Sequence, residues 1–208
     1  LASSQCINGG DPTTFDSDGS RADMGAYPYL NSYSGPTWYV ETAGNDTTGT
    51  GSLGSPFAST QSAINFATTD GDSVTVAAGT YLENINFRGR NIEVVGEDRE
   101  TTIIDGNSAA AVVTFNNSEI SSALLSGFTI QNGDAQGDGS YEGTRGGGIC
   151  FYTSSASLKN VRIINNSSLF EGGGIYCSGV LYLTDVTISG NTATGSGGGI
   201  FIRDNSTP

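Results

Sequence analysis

The phrases GGGICF (Gly146–Phe151), GGGIYC (Gly172–Cys177) and GGGIFI (Gly197–Ile202) decide how this chain is read. They begin at 146, 172 and 197, so the spacings are 26 and 25 residues. Between them runs a second phrase. Leu125-x-x-Phe128-x-Ile130, Leu158-x-x-Val161-x-Ile163 and Leu183-x-x-Val186-x-Ile188 follow one another, the last two 25 residues apart. The polar, Gly-rich stretch Asp134–Arg145 accounts for the longer first interval. A fixed period of this length marks a repeat architecture.

Strand parity sharpens the reading, because alternate residues of a strand share a face. Ile149 and Phe151 share one face, as do Ile175 and Cys177, and Ile200 and Ile202. Superposed, the units stack Ile149, Ile175 and Ile200, and set Cys177 between Phe151 and Ile202. Ala123, Ala156 and Leu181 form a further stack. Cys150, Tyr176 and Phe201 occupy the opposite face, where aromatic rings either pack or stack on sugars. Cysteines on opposite faces do not bridge easily, so Cys177 is expected as a buried apolar filler. Units of about 25 residues with period-2 patterning suit parallel strands coiled at about 4.8 Å spacing. The expected fold is all-β: a parallel β-helix.

Composition agrees. The 208 residues include 31 Gly and are only 14% charged, which favours many short strands joined by turns. A net charge of −13, with eight basic residues and no His, repels nucleic acid and anionic membranes. No apolar run is long enough to span a membrane as a helix. No signal peptide is visible, and the start at Leu1 reads as a processed chain or a fragment. Cys6, Cys150 and Cys177 have no metal-ligand spacing. Asn45, Asn116, Asn165, Asn166 and Asn205 head N-x-S/T sequons, which matter if a glycosylating cell secretes the protein.

A longer series resembles a known family. It runs Trp38-Tyr39-Val40, Gly44-Asn45-Asp46, Ser55-Pro56-Phe57, Gln61-x-x-Ile64 and Gly71-Asp72-Ser73-Val74-x-Val76. Ala78-Gly79-Thr80-Tyr81-x-Glu83, Asn91-Ile92, Thr102-Ile103-Ile104-Asp105-Gly106 and Gly127-Phe128-Thr129-Ile130-x-Asn132-Gly133 follow. This resembles the start of the pectate-lyase-like right-handed β-helix proteins found in secreted bacterial surface proteins. The later Gly-Gly-Gly-Ile units are similar also to repeats of polymorphic outer-membrane proteins. The resemblance covers roughly residues 37–202. It implies an all-β, right-handed parallel β-helix over 37–208 with a short N-terminal capping helix near residues 58–67, Ala63, Ile64 and Ala67 on one side, and an extended N-terminal arm. Residues 1–36 form the arm. Its segment Cys6–Tyr27 resembles one that in this group follows the last coil and closes it.

The resemblance speaks to fold more than to chemistry. Hydrolases of this fold use clustered Asp residues with a His and an Arg-x-Lys motif, and neither is present. A lyase needs basic residues gathered on one face with calcium; Arg88 and Arg90 are close in sequence, while Arg145, Arg162 and Arg203 are scattered. The Arg88/Arg90 pair is expected to solvate a turn. Asp16-x-Asp18-Gly19 with Asp23 has carboxylates placed to converge on calcium, or forms an Asx-turn connection in which Arg21 pairs with one Asp. Asp134, Asp138 and Glu142 form a second acidic loop expected to project into solvent.

The expected function is a non-catalytic extracellular structural module on a cell surface. The GGGIFI unit reads as a growing edge at Ile200 and Ile202, to be covered by the segment that starts with Cys6 and Ile7. The cover comes head-to-tail from another copy, making a filament, or from an adjoining β-helix domain of a longer protein. A glycan-binding module or a relic lyase is the alternative.

Overall fold

The structure is a computed structural model that describes every residue except 1–3, 5, 12, 17–20, 25–30, 69, 138–141 and 204–208. Its strands lie in four parallel ladders, two of which merge into one sheet. The first ladder runs through β1 (Thr37–Val40), β2 (Ser73–Val76), β5 (Glu93–Gly96), β8 (Leu124–Ser126), β12 (Ser157–Ile164) and β15 (Tyr182–Ser189). The second runs through β3 (Gly79–Leu82), β6 (Thr102–Asp105) and β9 (Thr129–Gln131) into the later halves of β12 and β15. The third holds β4 (Ile85–Asn86), β7 (Val113–Phe115), β11 (Ile149–Phe151), β14 (Ile175–Cys177) and β17 (Ile200–Ile202). A short fourth pairs β10 (Asp134–Ala135), β13 (Ser167–Ser168) and β16 (Thr192–Ala193). Helix is confined to α1 (Thr60–Phe66) and a 3-10 turn at Glu142–Thr144 among the described residues.

Register follows the superposition of the repeats. Ile149 pairs with Ile175 and Ile175 with Ile200, while Cys177 lies between Phe151 and Ile202. Cys177 is fully buried and its thiol is free. The Leu-x-x-Val-x-Ile phrase departs from strict alternation for a local reason. Gly127 (φ 78°), Asn160 (φ 53°) and Asp185 (φ 53°) each sit in the left-handed region between the Leu and the next apolar residue. Gly, Asn and Asp are the residues that tolerate this conformation. One such residue reverses the strand face, so Leu158 and Val161, three apart, both point into the core.

The Gly triplets have a steric cause as well. The first Gly of each triplet has φ between 63° and 68°. A Cβ on the second would lie 2.0 Å from the Ser167 carbonyl at Gly147, and 2.0 Å from that of Thr192 at Gly173. Only glycine lets successive ladders approach this closely.

One apolar cluster fills the interior from Ile7 to Cys177. Its centre is a column of rings, with Phe87 and Phe115 centroids 4.2 Å apart and Phe115 and Phe151 4.7 Å apart. Each such side chain withdrawn from water contributes about 1.5–3 kcal/mol. A second, smaller cluster of Ala111, Cys150 and Tyr176 lies on the outer side of β11 and β14.

The N-terminal end is closed. Ser59 caps α1 by accepting from the Ser62 amide at 3.3 Å, and Asp46 holds the cap through the Ser59 hydroxyl at 2.7 Å. Ala63, Ile64 and Ala67 are buried against the first ladder. Phe66 packs with Trp38 and Phe57 at 5.5 and 5.2 Å. The free edge of β1 is covered by the loop before α1. Tyr39 donates to the Gly51 carbonyl at 2.8 Å and accepts from the Phe57 amide at 2.9 Å. An edge paired in this way does not recruit further strands.

Three expectations need correction. Asp134 is a ladder residue, paired with Ser167 in register and accepting from its hydroxyl. The stretch Asp134–Arg145 is therefore no simple projecting loop, although Asp138 lies outside the described residues. Arg88 and Arg90 do not solvate a turn; both reach the cap. The described part of the arm also packs on the chain's own cap helix. Asn8 donates through Nδ2 to the Asn65 carbonyl at 2.6 Å, and Asn65 donates to the Ser4 carbonyl at 3.1 Å.

Candidate assembly surface

The last strand of each ladder repeats the pattern of its predecessors without their cover. Leu158 is 1% exposed, and its register partner Leu183 is 39% exposed. Cys177 is 0% exposed, and its partner Ile202 is 60% exposed. Val186, Ile188 and Ile200 are likewise more exposed than Val161, Ile163 and Ile175. Together they form one apolar end face.

The backbone at that face is open too. Gly172 donates to the Ser196 carbonyl at 3.0 Å, Gly173 to Gly197 at 3.1 Å and Ile175 to Gly199 at 2.8 Å. The next triplet, Gly197, Gly198 and Gly199, has no acceptor for its amides among the described residues. A Cβ on Gly198 would meet nothing closer than 3.2 Å, in contrast to the 2.0 Å at Gly147 and Gly173. Each unit thus leaves room and donors for one more.

A side-chain ladder runs alongside. Asn166 is buried; its Oδ1 accepts from the Gly133 amide at 2.8 Å, and its Nδ2 donates to the Ile130 carbonyl at 3.1 Å. One unit later, Asn191 Oδ1 accepts from the Asn166 amide at 2.9 Å and Nδ2 donates to the Ile163 carbonyl at 2.8 Å. Each Asn therefore completes the backbone of the unit before it.

At the opposite end, Arg90 is buried and donates to the Ile64 carbonyl and, at 3.3 Å, to that of Asn8. Burial pulls its pKa down to about 9, and the charges of Arg88 and Arg21 act the same way. Arg88 donates to Asn65 Oδ1 at 2.8 Å. No short-range sequence signal marks this role, because the carbonyl partners of Arg90 lie 26 and 82 residues away. Ile7 is buried in the main core cluster, while Cys6 is exposed. The pair Cys6 and Ile7 and the pair Ile200 and Ile202 therefore lie at opposite ends of the ladders, and this chain does not bring them together.

The other expected sites are dispersed. Asp23 Oδ1 accepts from the Asn8 amide at 2.6 Å, and Asp16 Oδ2 from the Asp23 amide at 3.2 Å. Arg21 donates to the Gly10 carbonyl at 2.9 Å through Nε. Asp18 lies outside the described residues, and among those described no group of three His, Cys, Asp or Glu is disposed to hold a metal ion. Of the sequons, Asn45 and Asn165 are exposed and Asn116 is half-buried. Asn166 is buried with its amide fully used, so it does not present a glycan acceptor; Asn205 lies outside the described residues.

Tyr176 is not an open platform for sugars. It is fully buried, stacked on Phe201 at 6.0 Å and covered by the Arg145 guanidinium 5.8 Å from its ring. Arg145 also pairs with Glu171, and Arg162 with Glu100, so these cations are engaged separately. A groove of about 370 Å³ does open on the outer side of β1, β2 and β5, between Tyr39, Leu53, Glu41 and Glu97. Its carboxylates disfavour acidic sugars. Near them burial, reinforced by Glu83, Glu41 and Glu97, pushes the Tyr81 hydroxyl up to about 12.

Comparison with known proteins falls on the repeats. Residues 160–178 and 185–203 match the Chlamydia polymorphic membrane protein (Chlamydia_PMP) repeat. Each matched stretch runs from the left-handed corner, Asn160 or Asp185, through the ladder Asn to the Gly-Gly-Gly-Ile strand. No curated protein and no solved structure matches the chain. No helix among the described residues is long and apolar enough to cross a membrane. The chain is a predominantly parallel-β repeat protein, and its final units are similar to those of a surface-associated bacterial repeat family.

Proposed function

We propose that the chain is a non-catalytic structural module of a bacterial surface protein. Its ladders are the faces of one right-handed parallel β-helix, closed at the N-terminal end and extended at the other. The extension comes from a further β-helix unit laid in parallel on β15, β16 and β17. The contrast between the two ends carries this reading. The β1 edge is paired by Gly51 and Phe57, whereas Leu183, Ile200 and Ile202 expose positions that are buried one unit earlier. The match of the last units to a membrane-protein repeat supports a surface location.

The head-to-tail filament is the weaker version of this function. Its cover segment, the arm, is occupied by α1 through Asn8 and Asn65, so it would have to leave that site to cover a neighbour. A non-catalytic role is supported by the use of Arg90, Arg145 and Arg162 in structural contacts.

The test appends one further unit, a second copy of residues 179–203 placed after Arg203, and repeats it with Leu183→Lys and Ile202→Lys in the receiving strands. Stability of a stacked repeat array rises with each added interface, so the appended unit raises the urea midpoint of the wild-type chain, and the Lys variants lose that gain. An appended unit that leaves the wild-type midpoint unchanged overturns the proposal.

A further inference from the structure

We infer that the open end selects its partner through a side-chain socket for asparagine, formed by the Asn191 N–H and the Ile188 carbonyl. The inference rests on the extension surface proposed above and names what fits it. The occupant is a unit of the form Leu-x-x-Val-x-Ile-x-x-Asn followed by Gly-Gly-Gly-Ile.

The geometry repeats along the chain. Asn166 binds the Gly133 amide and the Ile130 carbonyl, three residues apart in the preceding unit. Asn191 binds the Asn166 amide and the Ile163 carbonyl, again three residues apart. Advancing one unit gives the Asn191 amide and the Ile188 carbonyl. The Asn191 amide has no partner among the described residues. The two side chains also bond each other, Asn166 Nδ2 to Asn191 Oδ1 at 2.9 Å.

The pair needs one acceptor and one donor on the same short side chain. Asn carries them on separate atoms, an acceptor oxygen and a donor nitrogen, whereas a Ser or Thr hydroxyl has one oxygen for both and is too short to span the two groups. Asp would set a carboxylate against the Ile188 carbonyl, and Gln is longer by one carbon. An apolar residue would bury the Asn191 amide unpaired, which is penalised more than the bond itself is worth. The apolar stacks and the glycine donors accept any strand of suitable shape. The socket adds register, because a slip of one residue puts the Asn on the wrong face.

Hydrogen exchange on the full chain reads the socket directly. The probe is a synthetic peptide with the sequence of residues 179–203, beside the same peptide with Ala in place of its Asn. The Asn peptide protects the Asn191 amide together with those of Gly197–Gly199. The Ala peptide binds about tenfold or more weakly and leaves the Asn191 amide exchanging freely. In a second arm the same segment is fused after Arg203, so that binding is intramolecular and weak affinity is no obstacle. There the Ala version protects Gly197–Gly199 but not the Asn191 amide. Equal protection of Asn191 by the Ala and Asn versions overturns the socket and leaves the extension surface standing. Failure of the fused Asn segment to protect Gly197–Gly199 overturns the extension surface and the socket together.

Discussion

Asn166 and Asn191 lie one repeat unit apart, and their side-chain amides are joined, Nδ2 to Oδ1, at 2.9 Å. The bond belongs to a buried ladder in which every donor and acceptor of Asn166 has a partner. Asn166→Ala strands the Gly133 amide in the interior and removes one donor from the carbonyl of Ile130, which is also a ladder residue of β9. An unpaired buried group costs about 1–3 kcal/mol and a lost bond about 1 kcal/mol more, so the expected loss is about 2–4 kcal/mol in urea unfolding. Asn191→Ala, nearer the open end where water can enter, loses less.

The column of apolar side chains through the third ladder gives a graded series. Phe115 sits between Phe87 and Phe151 and is fully buried, so Phe115→Ala removes about 3–5 kcal/mol. Ile202 continues the column through Cys177 but is 60% exposed. Ile202→Ala changes stability by about 0.5 kcal/mol or less, as expected for an exposed site. A loss at Ile202 comparable to that at Phe115, measured on the monomer, would mean that the end is already covered.

This stacking was legible in the sequence because it depends only on spacing. The Gly-Gly-Gly-Ile units give the register of Ile149, Ile175 and Ile200, and the Ala- and Ile-bearing stretch 58–67 marks the cap helix, although not its N-cap at Ser59. The reversal at Asn160 and Asp185 was visible as a three-residue gap between apolar residues, though its cause is a backbone angle. Long-range polar contacts were not legible. Arg-Gly-Arg at 88–90 looks like a solvated turn, because nothing nearby indicates that Arg90 lies under α1 and Asn8. Tyr176 looks open because its cover, Arg145, belongs to the preceding unit. Asn166 reads as a sequon, since a glycosylation signal and a ladder Asn share one local pattern.

Arg90 ties the arm to the cap. Arg90→Met leaves the Ile64 and Asn8 carbonyls without their donor and loosens residues 4–11. The expected loss is about 1–3 kcal/mol, with faster hydrogen exchange at the Asn8 amide and earlier proteolysis before Thr37. Unchanged protection at Asn8 would show that the arm is held by other contacts.

The cap carries a pH dependence of known sign. Burial raises the Glu83 carboxyl above its ordinary 4.5, against the opposing bonds from Thr60 and Gln61. The folded state then binds this proton more tightly than the unfolded state. Its contribution is full below about pH 4.5 and is lost as pH rises through the raised value. Asp105 runs the other way. Burial raises it, but bonds from Gln131, Asn107 and Asn132 outweigh this and hold it below 3.8. Its contribution is present above 3.8 and lost as pH falls through the lowered value. Urea midpoints against pH therefore show wild type losing ground to Glu83→Gln as pH rises, and gaining on Asp105→Asn.

Expression in a glycosylating host separates the sequons. Mass spectrometry is expected to find glycan on Asn45 and Asn165, which are exposed, and none on folded Asn166. Occupied Asn166 in native protein would contradict the buried ladder.

Amide hydrogen exchange of the isolated, monomeric chain tests the central claim most directly. The account predicts slow exchange at Gly172–Ile175 and at Asn166, each bonded to the following unit, and fast exchange at Gly197–Gly199 and Asn191. Equal protection at 172–175 and 197–199 would contradict it, because the end read as open for extension would then already be closed.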